Sequence, residues 1–290
     1  PFEHQQLQWS LRKQLAKQLD SKKYQVCFVL PNSFKSALIP WLANIPLRIG
    51  YRGEMRYGLV NVSLDNPSKI DRPPMVEHYL ALSTLLEDED QAESQQALNN
   101  ALTPHLNVST SARQSIQSKL QSANIDSSIY VMCPGAEYGP SKRWPTEHFA
   151  ALAKELIDAN PSNQIILIGS QGDRYLADEI TSQANQNPNI YNWCGSTSLD
   201  EAIALIGMSK AVISNDSGLM HIAAALKVPQ VAIFGSSDPA HTPPLSDKAK
   251  VIWLNLPCSP CHKRECPLGH LKCLKDILPQ QLLATLNTLQ

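Results

Sequence analysis

The 290-residue sequence predicts an α/β chain built on two doubly wound parallel sheets. Three observations carry that prediction. The length corresponds to about two domains at roughly 150 residues each. Between Tyr24 and Tyr51 the first half shows strand–helix–strand spacing, which a parallel pair requires. From Ser128 onward, short apolar runs alternate with amphipathic stretches, the pattern of a sheet with helices on both faces. Hydrophobic residues at 43% and charged residues at 18% exclude a disordered chain. Lys+Arg 25 against Asp+Glu 26 gives a net charge of −1, which excludes a strongly basic nucleic-acid binder. No apolar run approaches the ~20 residues of a membrane span.

Each element has its own warrant. Leu7, Leu11, Leu15 and Leu19 recur every four residues and predict a helix over Gln5–Leu19. The run Tyr24–Leu30 reads as a buried strand ended by Pro31-Asn32. Ser33 can cap a helix to about Leu42, and Pro46–Tyr51 reads as the next strand. Glu77–Glu93 carries six acids and no Lys or Arg, so it reads as a solvated face or loop. Asn99–Ser111 is polar and reads as a linker, with the domains joined near residues 100–127. In the second half the predicted strands are Ser128–Cys133, Gln164–Gly169, Lys210–Ser214, Pro229–Gly235 and Lys250–Asn255. The helices between them are Pro145–Ala159, Asp173–Gln186, Ser198–Met208 and Gly218–Lys227, with a final helix from Pro279 to about Leu289.

Ligands in such sheets bind beyond the carboxyl ends of the strands. After Ser214, the run Asn215-Asp216-Ser217-Gly218-Leu219-Met220-His221 opens a helix. Amides at a helix start form an anion site, and Gly218 allows close approach. Asp216 or Ser217 as a simple cap is the blander reading. Because Asp216 would repel a diphosphate, it is expected to face sugar hydroxyls. After Cys133, Lys142 and Arg143 sit just before a helix, where cations oppose the dipole and cost up to about 1 kcal/mol without an anion. Phosphate is the candidate anion, and solvated surface cations are the alternative. Loops at Ser170-Gln171-Gly172-Asp173 and Ser236-Ser237-Asp238-Pro239 are weak signals singly, and Asp173 alone could be a cap. Four polar loops at one sheet edge together mark a nucleotide site.

From Arg12 to Arg56 there are nine Lys/Arg and two Asp/Glu. The loop cations Lys35, Arg52 and Arg56 suit an anionic acceptor or a membrane surface. Cys27, Cys133 and Cys194 stand singly and read as small buried hydrophobes. Cys258, Cys261, Cys266 and Cys273 form C-x2-C-x4-C-x6-C, for which a structural metal such as Zn²⁺, a disulfide clip and free thiols all stay open.

The segments PNSFKSAL, GYRGEMRYGL, PGAEYGPSKRWP, SNDSGLMHIAAAL and FGSSDPAHTPPL together closely resemble the bacterial ADP-heptose:lipopolysaccharide heptosyltransferases of glycosyltransferase family 9. They are most similar to the type II group, which adds the second inner-core heptose. The resemblance covers nearly the whole chain. It implies a GT-B fold, two Rossmann-like domains facing across a cleft, here residues 1–126 and 127–278, with a helix at 279–290 packing back on the N-terminal domain. It implies inverting, metal-independent transfer from ADP-heptose to the heptosyl-Kdo2-lipid A acceptor, with no cofactor required and no nucleic-acid partner. The location implied is cytoplasmic, peripheral at the inner membrane.

Carried over by motif, Lys142 would contact the donor phosphates and stabilise the leaving ADP. Asp216, Ser217, Gly218, Leu219 and His221 would line the heptose and diphosphate pocket, with Glu137, Tyr138, Gln171 and Asp173 on the nucleotide side. Lys35, Ser36, Arg52 and Arg56 fall where acceptor-facing residues lie. The family opens with a strand and a glycine-rich loop bearing an Asp general base. No such segment precedes Pro1, so an N-terminally incomplete sequence lacking that base is expected. The Cys cluster is not expected to serve transfer itself. The alternatives are another GT-B glycosyltransferase, a UDP-sugar 2-epimerase, and a non-catalytic metal-clipped binding module.

Overall fold

The structure, a computed structural model, describes residues 2, 6–68, 72–86, 103–125 and 128–289. The chain divides into two compact units, residues 1–102 and 103–290.

The first unit holds a parallel sheet of β1 (Val26–Val29), β2 (Leu47–Tyr51) and β3 (Val62–Leu64), in that order. Helices α1 (Trp9–Asp20) and α2 (Phe34–Leu42) pack together, and Ala16 joins Ala43 and Ile45 in a small core. Ser33 caps α2 as its sequence position indicates, its hydroxyl accepting the Ser36 amide at 3.3 Å. β3 is three half-buried residues, too short to show alternation. The acidic stretch opens as a helix, α3 (Met75–Leu80), rather than a loop. Tyr51 stacks on His78 at 3.9 Å, and Leu82 is buried with Ile49 and Tyr51. The acids from residue 87 to 93 lie outside the described residues.

The second unit is a six-stranded parallel sheet. Its strands are β4 (Ser128–Cys133), β5 (Asn163–Leu167), β6 (Ile190–Asn192), β7 (Ala211–Asn215), β8 (Gln230–Ile233) and β9 (Ala249–Ile252), ordered β6-β5-β4-β7-β8-β9. Successive residues of the central strands feed opposite cores. Tyr130, Met132, Ile165, Leu167 and Ile213 face one, while Ile129, Val131, Ile166 and Val212 face the other. Each fully buried side chain of this size contributes roughly 1.5–3 kcal/mol. Burial on both faces is why these strands read as continuous apolar runs.

The boundary between the units, 102/103, falls within the expected linker 99–111, and residues 103–125 belong with the second unit. Ser109 caps α4 (Thr110–Ser122), and Ala112, Ile116 and Leu120, four apart, enter the core beside α7 (Leu199–Met208). The last helix, α10 (Pro279–Asn287), packs on α5 (Thr146–Ala159) and β8 of the second unit. Its Leu282 and Leu286 are fully buried in that unit's core. Leucines four apart follow whichever apolar face lies nearest, which their spacing cannot specify. The boundary expected at 126/127 lies outside the described residues.

Lys119 ties α4 to α7 through Glu201, Nζ to Oε1 2.8 Å. Glu201 also closes a capping box with Ser198 and accepts the Ser115 hydroxyl at 2.7 Å. The Lys119 hydrogen bond, followed by those from Ser115 and the Ser198 backbone, holds its pKa down to about 2. A carboxylate lowered on folding stabilises the fold above its unfolded pKa and loses that contribution as pH falls through the folded one. Glu201→Gln keeps the cap and deletes the ion pair. We expect a loss of about 1 kcal/mol or less near neutral pH. In urea unfolding across pH, the gap between wild type and variant should close as pH falls from about 4.5 to about 2.

Candidate active site

Counted along the second unit, the sheet order is third, second, first, fourth, fifth, sixth. The order reverses between β4 and β7, where loops diverge and open a crevice. Asn215, the buried last residue of β7, joins those loops. Its Nδ2 donates to Pro134 O at 2.8 Å, and its Oδ1 accepts the Trp144 amide at 3.0 Å. Ser141 Oγ lies 3.0 Å from Ser236 Oγ and donates to Lys263 O, drawing in two further loops.

At the centre is an ion pair. Lys142 Nζ stands 2.5 Å from Asp216 Oδ2, and Ser237 Oγ donates to the same oxygen at 2.5 Å. The side chains are 19% and 6% exposed. Breaking one partner of such a pair costs about 3–5 kcal/mol, because the other charge stays buried. Lys142 Nζ also lies 5.3 Å from the Tyr138 ring centroid, as does the Arg264 guanidinium at 5.5 Å. Arg143 donates to the Tyr175 hydroxyl at 2.6 Å and to Ala136 O at 3.2 Å.

Beside the pair lies a cavity of about 350 Å³. Glu137, Asp173, Ser217, Gly218 and Leu219 line it, with Thr197, Leu199 and Ile222 supplying other walls. Helix α8 (Gly218–Ala225) begins at its edge without a side-chain cap, so its first amides stay available to a ligand. A Cβ on Gly218 would meet nothing within 4 Å, leaving that approach open. His221 lies one turn in and reaches solvent. Desolvation of the ring lowers its pKa, Asp216 opposing and Lys142 assisting.

A family model for glycosyltransferase family 9 (heptosyltransferase) matches residues 12–272. Lipopolysaccharide heptosyltransferase 2 of Escherichia coli K12 is 43% identical over 292 residues, covering 100% of this chain and 82% of that protein. Lipooligosaccharide heptosyltransferase 2 of Haemophilus ducreyi is 39% identical, covering 100% and 83%. The chain belongs to glycosyltransferase family 9. The solved structure of E. coli ADP-heptose lps heptosyltransferase II superposes with a TM-score of 0.78 at 42% identity, over 97% of this chain and 80% of that one. The α/β fold is therefore the GT-B fold of this heptosyltransferase family.

The fold of this heptosyltransferase-family chain sorts the predicted residues. Asp173 does the work of a cap: its Oδ2 accepts the Ser170 amide at 2.9 Å and the Ser170 hydroxyl at 2.6 Å, while the residue also faces the cavity. Gln171 packs against Gly195, where a Cβ would come within 2.0 Å of its Oε1. Tyr138 donates its hydroxyl to His262 O at 2.8 Å. Asn215 and Ser237, which position the pair, were not among the expected site residues. Both lie beside motif residues, but positioning through a hydrogen bond leaves no mark in residue type.

In the first unit, Lys35 opens α2 and is half-buried. Ser36 shares the Ser33 cap, the two hydroxyls 2.7 Å apart. Arg52 pairs with Asp65 at 2.6 Å on the surface. Arg56 is only 3% exposed. It donates to Pro31 O at 2.7 Å, Asn32 Oδ1 at 3.0 Å and Tyr51 O, a brace across three segments. Arg12 and Arg48 likewise spend donors on backbone carbonyls, so the positive excess is smaller at the surface than in the sequence. Cys133 and Cys194 are buried, and desolvation raises both thiols, Cys194 to about 12. No disulfide joins the cysteines, and among the described residues no three His, Cys, Asp or Glu side chains stand in a closed metal-ligating cluster.

Two substitutions test this geometry. A Cβ on Gly135 would lie 2.4–2.5 Å from the Asp173 carboxyl, so Gly135→Ala should cost about 1–3 kcal/mol in urea unfolding. Arg56→Ala should cost about 1–3 kcal/mol, since it strands the buried Tyr51 carbonyl.

Proposed function

We propose that this chain transfers L-glycero-D-manno-heptose from ADP-heptose to the first heptose of the lipopolysaccharide inner core. The observation that carries the reading is Lys142, held by Asp216 at the sheet's reversal point beside an uncapped helix start, in a chain 43% identical to a lipopolysaccharide heptosyltransferase 2. The nucleotide would occupy the cavity lined by Glu137, Asp173 and Thr197. Its diphosphate would lie toward Gly218, and the heptose toward Asp216 and His221.

Three requirements define the chemistry. The acceptor hydroxyl attacks the anomeric carbon as the bond to the β-phosphate oxygen breaks, inverting the centre. Its proton passes to a carboxylate base, to which no described residue is assigned. The electron pair leaves with ADP, and the growing charge must be met by fixed donors. Lys142 and the first amides of α8 supply them, the role a divalent ion fills in other transferases, so we read the transfer as metal-independent. Tyr138, Gln171 and Ser217 would hold the donor side. On the acceptor side Lys35, Ser36 and Arg52 would meet heptosyl-Kdo2-lipid A, with Arg56 fixing their loop.

Because that acceptor is lipid-borne, we place the enzyme peripherally at the cytoplasmic face of the inner membrane. Among the described residues no helix is long and apolar enough to cross it.

Calorimetry should show binding of ADP-heptose and none of UDP-sugars, the reverse removing the reading in favour of another GT-B transferase or an epimerase. Lys142→Ala should lower kcat about 100-fold or more with little change in the acceptor KM. Since that variant leaves Asp216 buried without its partner, the companion Lys142→Ala/Asp216→Asn controls for folding, and near-wild-type kcat in either removes Lys142 from the mechanism.

A further inference from the structure

Outside the donor site, one cluster of reactive side chains has no part in transfer. Cys258, Cys261, Cys266 and Cys273 all line one small cavity, together with Ser141, Ser236 and His270. Fifteen positions separate the first cysteine from the last, yet the loop folds so that every sulfur-bearing residue faces the same space. The backbone between Cys266 and Cys273 is shaped around one of them. Gly269 and Leu271 adopt left-handed φ values of +69° and +51°, and the Gly269 amide donates to Cys266 O at 3.1 Å, a turn that folds the chain back beside Cys266. His270 shares the cavity, but its Nδ1 accepts the Lys272 amide at 3.0 Å.

We propose that these four cysteines hold one thiophilic metal ion, of the Zn²⁺ or mononuclear iron class, and that the ion clasps the loop carrying Lys142. Four thiolates around a divalent ion leave a charge of −2, and Lys263, Arg264, Lys272 and Lys275 lie in the same segment with Glu265 the one acid among them. Four thiolates in tetrahedral array suit those ions and suit Mg²⁺ or Ca²⁺ poorly. The sulfurs face a common cavity without forming a closed ligand cluster, so binding draws them inward to about 2.3 Å from the ion. Each thiol that binds releases its proton.

The clasp follows from what lies between the second and third cysteines. Residues 262–264 present their carbonyls to the Lys142 loop: His262 O accepts the Tyr138 hydroxyl at 2.8 Å, Lys263 O the Ser141 hydroxyl, and Arg264 O the Ser141 amide at 3.1 Å. The His262 amide donates to Ser236 O at 2.8 Å. A Cβ on Gly139 would lie 2.7 Å from Arg264 O, so the two loops are in direct backbone contact. Fixing Cys261 and Cys266 to one ion would fix the three carbonyls on which Tyr138 and the Pro140–Lys142 turn rest. The metal site stands independently of heptose transfer.

The test uses the full chain purified under reducing, anaerobic conditions without chelator. Elemental analysis should find about one zinc or iron per chain, and colour separates the two, since iron thiolates absorb visible light. Thiol titration should gain four reactive cysteines when a chelator strips the ion from the native protein. Reconstitution with Co²⁺ should give sulfur-to-metal charge-transfer bands that weaken in Cys266→Ser and persist in Cys27→Ser. Hydrogen exchange on stripping should rise at residues 138–142 and stay unchanged in α4, which excludes global unfolding as the cause. A chain without bound metal that also takes up no Co²⁺, or peptide mapping that finds disulfides among the four in fresh protein, overturns the metal site. Unchanged exchange at 138–142 after stripping overturns the clasp. Donor binding by calorimetry would be intact in either case if the transfer reading holds.

Discussion

The second unit is organised around a charge pair that costs energy to bury. Removing an ammonium and a carboxylate from water carries a penalty of several kcal/mol per ion, and mutual attraction offsets it only with good geometry and extra partners. Lys142 and Asp216 have those partners. Ser237 donates to the carboxylate, the Asp216 amide is held by Ile233 O at 3.0 Å, and the Tyr138 ring lies within cation–π range of the ammonium. Tyr138 lies in the loop after β4, Ser237 in the loop after β8 and Ile233 at the end of β8 itself, so the pair is complete only when the loops after β4, β7 and β8 are all in place. An isosteric apolar pair would be as stable or more so. The pair is better understood as a fixed charge at a fixed point.

Rigidity beneath the pair comes from the sheet. β4 and β7 are the middle strands, covered by apolar cores on both faces, and their ends can move little without opening those cores. Asn215 transmits that rigidity outward. Its amide spans Pro134 O and the Trp144 N–H, and Trp144 is itself anchored through Nε1 to Ile277 O at 2.9 Å. The chain therefore runs from core to strand end to loop without a flexible step. The loops carry polar chemistry because a scaffold this dry holds their ends.

Much of this was legible in the residues, and the reason differs by feature. Strands buried on both faces announce themselves as apolar runs, which is why β4, β5, β7 and β8 were placed within a residue or two. β3 and β6, three residues each, are too short for any periodicity. α4 is hard to see in the sequence because its exposed face, Gln, Ser, Arg and Lys, dominates the composition, while Ala112, Ile116 and Leu120 supply only a narrow apolar stripe. The loops around Gly218 and Lys142 were legible because a glycine, a cation before a helix and clustered polar groups are locally unusual. The partnership between them was not: 74 residues separate Lys142 from Asp216, and Asp216 was expected to face sugar hydroxyls. Arg56 shows the converse limit. A loop arginine has the same letter whether it awaits an anion or braces three backbone segments, and burial alone decides.

The pairing also bears on how an anion would be handled here. A lone buried ammonium would already bind the ground-state diphosphate tightly, and binding shared by ground and transition states does not raise turnover. With Asp216 attached, the local charge before a ligand arrives is close to neutral, and one of the three ammonium protons is already committed. The bound donor then meets a modest positive field from the remaining protons and the start of α8. As the glycosidic bond stretches, negative charge grows on the leaving oxygen, and the fixed donors gain most at that moment because no reorganisation is needed. In the proposed transfer, departure of ADP would be eased by the same neutralisation, since the carboxylate stays to receive the ammonium. If Lys142 takes the proposed role, a carboxylate beside it would shift binding energy from the resting complexes toward the transition state.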